Sequence, residues 1–176
     1  GRILGFNVHV NIYAAQGALT DYDAEAAGVR RLPGIVSVRP VIEGQVMASA
    51  GSQASGALVR GMTEKDLASQ SLIADHLSPN ALAGFKSDAI IIGNRLALRL
   101  GVRPGGSITL ISPQGTATVF GTVPRIKTYR IAGTFDVGMY EFDNSVIFMP
   151  MDTAQTFFNL DKGVTSLEVM VADPDN

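Results

Sequence analysis

The sequence contains no cysteine, so this chain can form neither a disulfide framework nor a thiolate zinc site. Histidine is almost as scarce, because His9 and His76 are the only two and they lie far apart in the sequence. No His-x-x-x-His spacing and no cluster of His with Asp assembles metal ligands, so we expect no metal site and no cofactor. We interpret both histidines as surface or helix-capping side chains.

An excess of positive charge is also absent. The 14 Lys and Arg residues against 16 Asp and Glu residues leave a formal net charge of -2, and the arginines are scattered along the chain. A nucleic-acid-binding protein needs a clustered basic surface to neutralise phosphates. Nucleic acid is therefore not an expected partner.

Long apolar runs are missing too. No stretch approaches the roughly 20 apolar residues that a membrane-spanning helix needs, and no signal-peptide pattern is found. The apolar content of 46% nevertheless suffices for a folded core. Since the chain starts at Gly1 rather than Met and stops at residues 173–176, directly after a predicted strand, we expect it to be a piece of a longer protein.

Catalytic motifs are likewise absent. No serine lies in a Gly-x-Ser-x-Gly turn, and the glycines of residues 103–107 do not follow the phosphate-loop pattern. Glu141 and Asp143 have the spacing of two residues on one face of a strand, but such pairs are usually solvated. The sequence does not support an enzyme.

Periodicity and turn residues predict a mixture of helices and strands without strict alternation, which favours an α+β fold. Thr20, Thr63 and Ser78 are the predicted helix starts that carry capping side chains. The predicted strands are 6–13, 35–50, 54–62, 89–92, 107–112, 128–135, 145–149 and 167–171, and the clearest helices are 94–100 and 152–158.

The segment 111–127 carries apolar residues where a loop should meet solvent. It is framed by Pro113 and Pro124 and contains Val119, Phe120 and Val123. On composition alone, a lid folded over the sheet is favoured, with the prolines blunting exposed strand edges. The alternative is a hairpin that protrudes.

Four passages resemble one family. They are 3–5 with the first strand, Leu-Pro-Gly-Ile and its sequel at 32–40, residues 91–106, and the run Gly-Thr-Phe-Asp-Val-Gly-Met-Tyr-Glu-Phe-Asp at 133–143. The first three are shared with MacB-like permeases. The last closely resembles the periplasmic region of the lipoprotein-releasing ABC transporter permeases, the LolC/LolE family.

This resemblance implies a MacB-like periplasmic core domain with two lobes. Residues 1–70 and 148–176 would form a discontinuous α/β (porter-like) lobe, a mixed sheet with helices, and 71–147 an inserted β-rich lobe with a protruding hairpin. Such a domain lies on the periplasmic face of the bacterial inner membrane, as part of a multi-pass parent chain. We interpret Met139, Tyr140 and Phe142 as core, with contact to lipoprotein acyl chains as the alternative.

In this family a hairpin called the hook enters the lipid cavity of the soluble carrier LolA, and a polar pad grips the carrier's outer surface. The hook aligns with residues 113–124 and its tip with 120–123. The implied hook residues are Pro113, Val119, Phe120, Gly121, Thr122, Val123 and Pro124, and the implied pad residues are Thr109, Arg125 and Lys127.

The implied function is non-enzymatic: release of outer-membrane lipoproteins and their transfer to a LolA-type carrier. A LolD-type ATPase and a second permease subunit would act through the parent's membrane part. The sequence leaves open a LolC-like, a LolE-like or a self-pairing permease. A MacB-type mechanotransmission domain that docks an efflux partner is the alternative function.

Overall fold

The computed structural model describes residues 7–13 and 18–172, and its mixture of strands and helices confirms the predicted α+β class. The strands are β1 (Asn7–Tyr13), β2 (Ile35–Ala50), β3 (Gln53–Met62), β4 (Ala89–Gly93), β5 (Ser107–Thr118), β6 (Gly121–Phe135), β7 (Val146–Pro150) and β8 (Ser166–Ala172). The helices are α1 (Tyr22–Arg30), α2 (Glu64–Ala68), α3 (Ser71–Ala74), α4 (Asn94–Leu100), α5 (Tyr140–Ser145) and α6 (Met151–Phe157). Among these described helices, none has the length and apolar character needed to cross a membrane.

The strands are hydrogen-bonded in the order β1-β8-β2-β3-β7-β4-β6-β5, and β5 also pairs with β2. This last pairing closes the strands from β2 to β5 into a ring, which we call the barrel. β1 and β8 lie outside the ring and pair with the first part of β2, and we call this part the terminal sheet. Only the β3–β7 and β4–β6 pairs of the described strands are parallel.

A group of charged side chains marks the point where β2 passes from the terminal sheet into the barrel. Arg39 lies opposite Glu168 of β8, and Glu43 lies opposite Arg60 of β3. Arg60 forms ion pairs with both Glu43, at 2.9 Å, and Glu168. Because Glu168 is buried, it depends on these arginines for compensation of its charge.

The core has two clusters, one on either side of β4. Ile90 and Ile92 belong to the larger cluster, whereas Ile91 belongs to the smaller. Successive side chains of a strand point to opposite faces, so a short, wholly apolar strand fits a position covered on both sides. The prediction of a buried strand here is confirmed.

Several predicted boundaries are confirmed, including the long β2–β3 pair, which turns at Gly51 and Ser52. Thr63 caps α2 by accepting a hydrogen bond from the Asp66 amide at 3.1 Å. The predicted Thr20 cap is wrong, since α1 starts at Tyr22 and no side chain caps it. The predicted first strand is observed from residue 7, and its residue 6 lies outside the described residues.

The predicted helix start at Ser78 is also wrong. Residues 78–84 form turns, and the Ser78 hydroxyl instead accepts a hydrogen bond from the Thr134 amide at 2.9 Å. A serine side chain can satisfy a backbone group of a neighbouring strand as readily as one in a helix. The division into lobes 1–70 with 148–176 and 71–147 stays a prediction.

Candidate functional site

The candidate site is the hairpin of β5 and β6. The two strands pair from Ser107 with Arg130 to Thr118 with Gly121, so that only Val119 and Phe120 form the loop. The predicted strands stopped at residue 112 and resumed at 128, and the real ones continue to the tip. The predicted tip, 120–123, is therefore corrected to residues 119–120, and the remaining residues belong to β6.

The tip exposes its two apolar side chains almost completely, Val119 to 93% and Phe120 to 97%. The Thr118 hydroxyl donates to the Gly121 carbonyl oxygen at 2.7 Å and accepts from the Phe120 amide at 3.2 Å. Gly121 has a φ of 111°, which L side chains rarely adopt. Since the tip does not fold over the sheet, the lid interpretation is wrong, and sequence reasoning missed the role of Thr118.

The hairpin has a bulge below its tip, where β5 advances from Ser112 to Thr116 while β6 advances only two residues. Pro113 lies in this bulge, and Pro124 lies opposite on β6. Proline cannot donate a ladder hydrogen bond. Both strands of the upper hairpin have outer edges without a partner strand in the described part of the chain, and the prolines protect these edges from strand addition.

Two cations of the predicted pad lie together at the base of the hairpin, on one face of β6. The Arg125 guanidinium donates to the Phe157 carbonyl oxygen at 3.0 Å, and Lys127 Nζ lies 3.7 Å from Asp88 Oδ1. They line a cleft of about 390 Å³ beside α6, with Tyr129 in its wall. Burial raises the pKa of the Tyr129 phenol well above its ordinary value, and the charge of Asp88 adds to the effect.

Thr109, the third predicted pad residue, lies on the opposite face. It is paired with Thr128, and the two hydroxyl oxygens are 2.8 Å apart. Side chains alternate along a strand, so Thr128 and Ile126 point away from the face of Arg125 and Lys127. The structure brings the two cations together but separates Thr109 from them.

The run 133–143 holds a buried carboxylate that sequence reasoning misplaced. The pair Glu141 and Asp143 was predicted on a strand, but both belong to α5, where Glu141 is exposed and Asp143 is buried. Asp143 accepts hydrogen bonds from the Val137 amide at 2.9 Å and the Gly138 amide at 3.0 Å. Its role is to fix the turn before α5.

Two of the three aromatic and sulfur side chains predicted as core are exposed. Met139 and Tyr140 face outward, which corrects that prediction, and the Arg95 guanidinium lies 4.9 Å from the Tyr140 ring centre. Phe142 packs at 5.3 Å between ring centres against buried Phe135. The start of a helix after a turn points its first side chains to solvent, which the strand interpretation could not foresee.

Metal ligands are not grouped anywhere in the described residues: no three His, Asp or Glu side chains lie where they could hold an ion. A ring nitrogen of His76 lies 3.1 Å from the Leu72 carbonyl oxygen, as expected of a histidine near a helix end. The side chain of His9 lies outside the described part.

A family model for the MacB-like periplasmic core domain matches residues 4–176. The chain belongs to this family. The MacB-like periplasmic core domain described above is therefore both the predicted and the observed fold.

Relatives with full-length matches to this MacB-like domain are transmembrane proteins LolC of lipoprotein-releasing systems. The LolC of Neisseria meningitidis is 29% identical over 100% of this chain and 43% of the relative, and that of Xylella fastidiosa strain Temecula1 is 28% identical over 99% and 42%. The chain thus spans less than half the length of these relatives. The predicted resemblance to the LolC/LolE family is confirmed.

Solved structures share the fold of the MacB-like domain at low identity. The extracellular domain of the ABC-type transporter YknZ from Gram-positive bacteria has a TM-score of 0.58 at 14% identity, covering 96% of this chain and 86% of that one. The periplasmic region of MacB from Actinobacillus actinomycetemcomitans has a TM-score of 0.55 at 14% identity, covering 96% and 76%.

Proposed function

We propose that this MacB-like domain is the periplasmic part of an inner-membrane ABC permease that releases outer-membrane lipoproteins and hands them to a soluble carrier of the LolA type. The domain itself catalyses no reaction and needs no cofactor. ATP would be hydrolysed by a LolD-type subunit, and the motion would reach this domain through the parent's membrane part and a second permease subunit. Full-length similarity to LolC proteins supports the proposal.

The observation that carries the proposal is the exposed apolar tip. Phe120 is 97% exposed at the end of a hairpin whose edges carry prolines. Burial of such a side chain contributes about 1.5–3 kcal/mol. A cavity that holds acyl chains offers this burial, and the two prolines lower the conformational entropy that the hairpin loses on binding.

Each predicted hook residue has a place in this proposal. Val119, Phe120 and Val123 would supply the apolar surface, Gly121 and Thr122 the tight return, and Pro113 and Pro124 the rigid frame. Arg125 and Lys127 would contact the carrier's polar outer surface, while Thr109 would face another part of it. The lobe division 1–70 with 148–176 and 71–147 belongs to the same proposal.

The test is titration calorimetry of the chain with its cognate LolA-type carrier. Phe120→Asp removes the apolar contact and adds a charge, so we expect the Kd to rise at least about 100-fold, which corresponds to the loss of roughly 3 kcal/mol. Leu98→Asp is the matched control, because Leu98 is also exposed, to 77%, but lies on α4.

Equal binding by wild type and Phe120→Asp would refute the role of the tip. Failure of the wild type to bind any carrier would refute the transfer function. Binding to an efflux partner instead would favour the MacB-type alternative.

A further inference from the structure

A row of apolar side chains crosses three strands at the base of the hairpin. Met47 of β2 is paired with Ile111 of β5, and Ile111 is paired with Ile126 of β6. Directly paired residues point to the same face with Cβ atoms about 4.5–5.5 Å apart. The three side chains therefore form one continuous surface, which we call the collar.

The collar faces away from the barrel core. The neighbouring pair Ala48 and Leu110 is fully buried, so the alternation of the strands turns Met47 and Ile111 outward. Met47 is 44% exposed and Ile126 is 62% exposed. Ladder pairing does not require apolar side chains on a solvated face, and a contiguous exposed apolar surface often marks a contact site.

Polar groups border the collar on the side towards the barrel. The Thr109 and Thr128 hydroxyls lie 2.8 Å apart and bond to each other, so they contribute no charge to this face. Both hairpin cations, Arg125 and Lys127, belong to the opposite face by strand alternation. The collar is therefore an uncharged surface that suits an uncharged partner surface.

The collar is continuous with the hook. Ile126 lies six residues along β6 from Phe120, which is about 20 Å in an extended strand. A protein that encloses the tip within a cavity of that depth brings its rim level with Ile126. Strand addition cannot serve here, because the row is already paired across β2, β5 and β6, and contact must be made through side chains.

We propose that the collar seats the rim of the same carrier protein whose apolar cavity receives the hook. This inference rests on the proposed function and adds a second contact to it. The hairpin then presents an apolar face and a cationic face, so that a carrier can approach in one orientation only. A rim segment with exposed apolar side chains is the expected counterpart.

The test compares single variants in calorimetric titrations with the purified cognate carrier. Ile126→Asp should raise the Kd at least tenfold, whereas Ile126→Leu should stay within threefold and Leu98→Asp within twofold of the wild type. A photo-crosslinking amino acid at position 126 should capture the carrier, and the same probe at position 98 should not. The crosslinking arm keeps the test decisive if Ile126→Asp is poorly folded.

The outcomes separate the two proposals. Loss of binding with Phe120→Asp but unchanged binding with Ile126→Asp, or no crosslink from position 126, would overturn the collar and leave the hook intact. Absence of binding by the wild type would overturn the proposed function itself. A wild-type dimer that Ile126→Asp converts to monomer would show that a second copy covers the row, and would also overturn the collar.

Discussion

Replacement of Asp143 by alanine should destabilise the domain strongly. The carboxylate is 1% exposed and accepts hydrogen bonds from the Val137 and Gly138 amides. Hydrogen bonds to a charged group contribute about 1.5–3 kcal/mol each, so the loss of two amounts to about 3–6 kcal/mol. A domain is stable by only about 5–15 kcal/mol, and Asp143→Ala would consume a large share of this.

The assay is urea unfolding followed by far-ultraviolet circular dichroism. Glu141→Ala is the matched control, because Glu141 belongs to the same helix but is exposed, and it should change the free energy of unfolding by less than about 0.5 kcal/mol. If Asp143→Ala unfolds within 1 kcal/mol of the wild type, the turn does not depend on the carboxylate, and the assignment of its role is refuted.

Three further changes test other parts of the fold. In Gly93→Ala the new Cβ would lie 1.9 Å from the Asp143 carbonyl oxygen, and we expect a loss of about 1–3 kcal/mol in urea unfolding; an unchanged midpoint would contradict this close approach. Glu168→Gln leaves Arg39 and Arg60 without their shared carboxylate, and should cost near the lower end of about 3–5 kcal/mol because Glu43 still pairs with Arg60; a stability equal to that of the wild type would argue against the network. Because the Tyr129 pKa is raised above its ordinary value of 10.0, the unfolded chain loses the phenol proton first, and stability should fall as the pH rises above 10. Tyr129→Phe should flatten this alkaline decline, and a decline as steep as in the wild type would assign it to other groups.

Local sequence patterns predicted the regular elements well. β4 is apolar on both faces, and the β2–β3 turn has glycine where φ is positive, so each element is specified by its own residues. The Thr63 cap was correct because its partner amide lies three residues away.

Interactions between distant residues could not be predicted in the same way. Ser78 bonds the Thr134 amide, 56 residues away, and this contact replaces the local cap that its sequence favours. Asp143 is buried because it satisfies two backbone amides of a preceding turn, whereas period-two spacing placed it on a strand. In both cases a side chain that suits one local motif serves a tertiary one.

The candidate site divides along the same line. The proline frame and the apolar tip were visible in the sequence, and the family resemblance indicated that they protrude. The pairing of Thr109 with Thr128, and the row formed by Met47, Ile111 and Ile126, depend on a register between β2, β5 and β6 that no local pattern specifies.

The sharing of β2 between two sheets makes the mechanical strength of the domain depend on direction. At about 3.3 Å per residue, its 16 residues extend over roughly 50 Å. β2 reaches the hook strand through only three residue pairs, Met47 to Ser49 with Thr109 to Ile111. A force along β2 loads these pairs together in shear, whereas a force across the sheet separates them one at a time, like a zipper. The hook is therefore stiff towards a push along β2 and compliant towards a sideways pull.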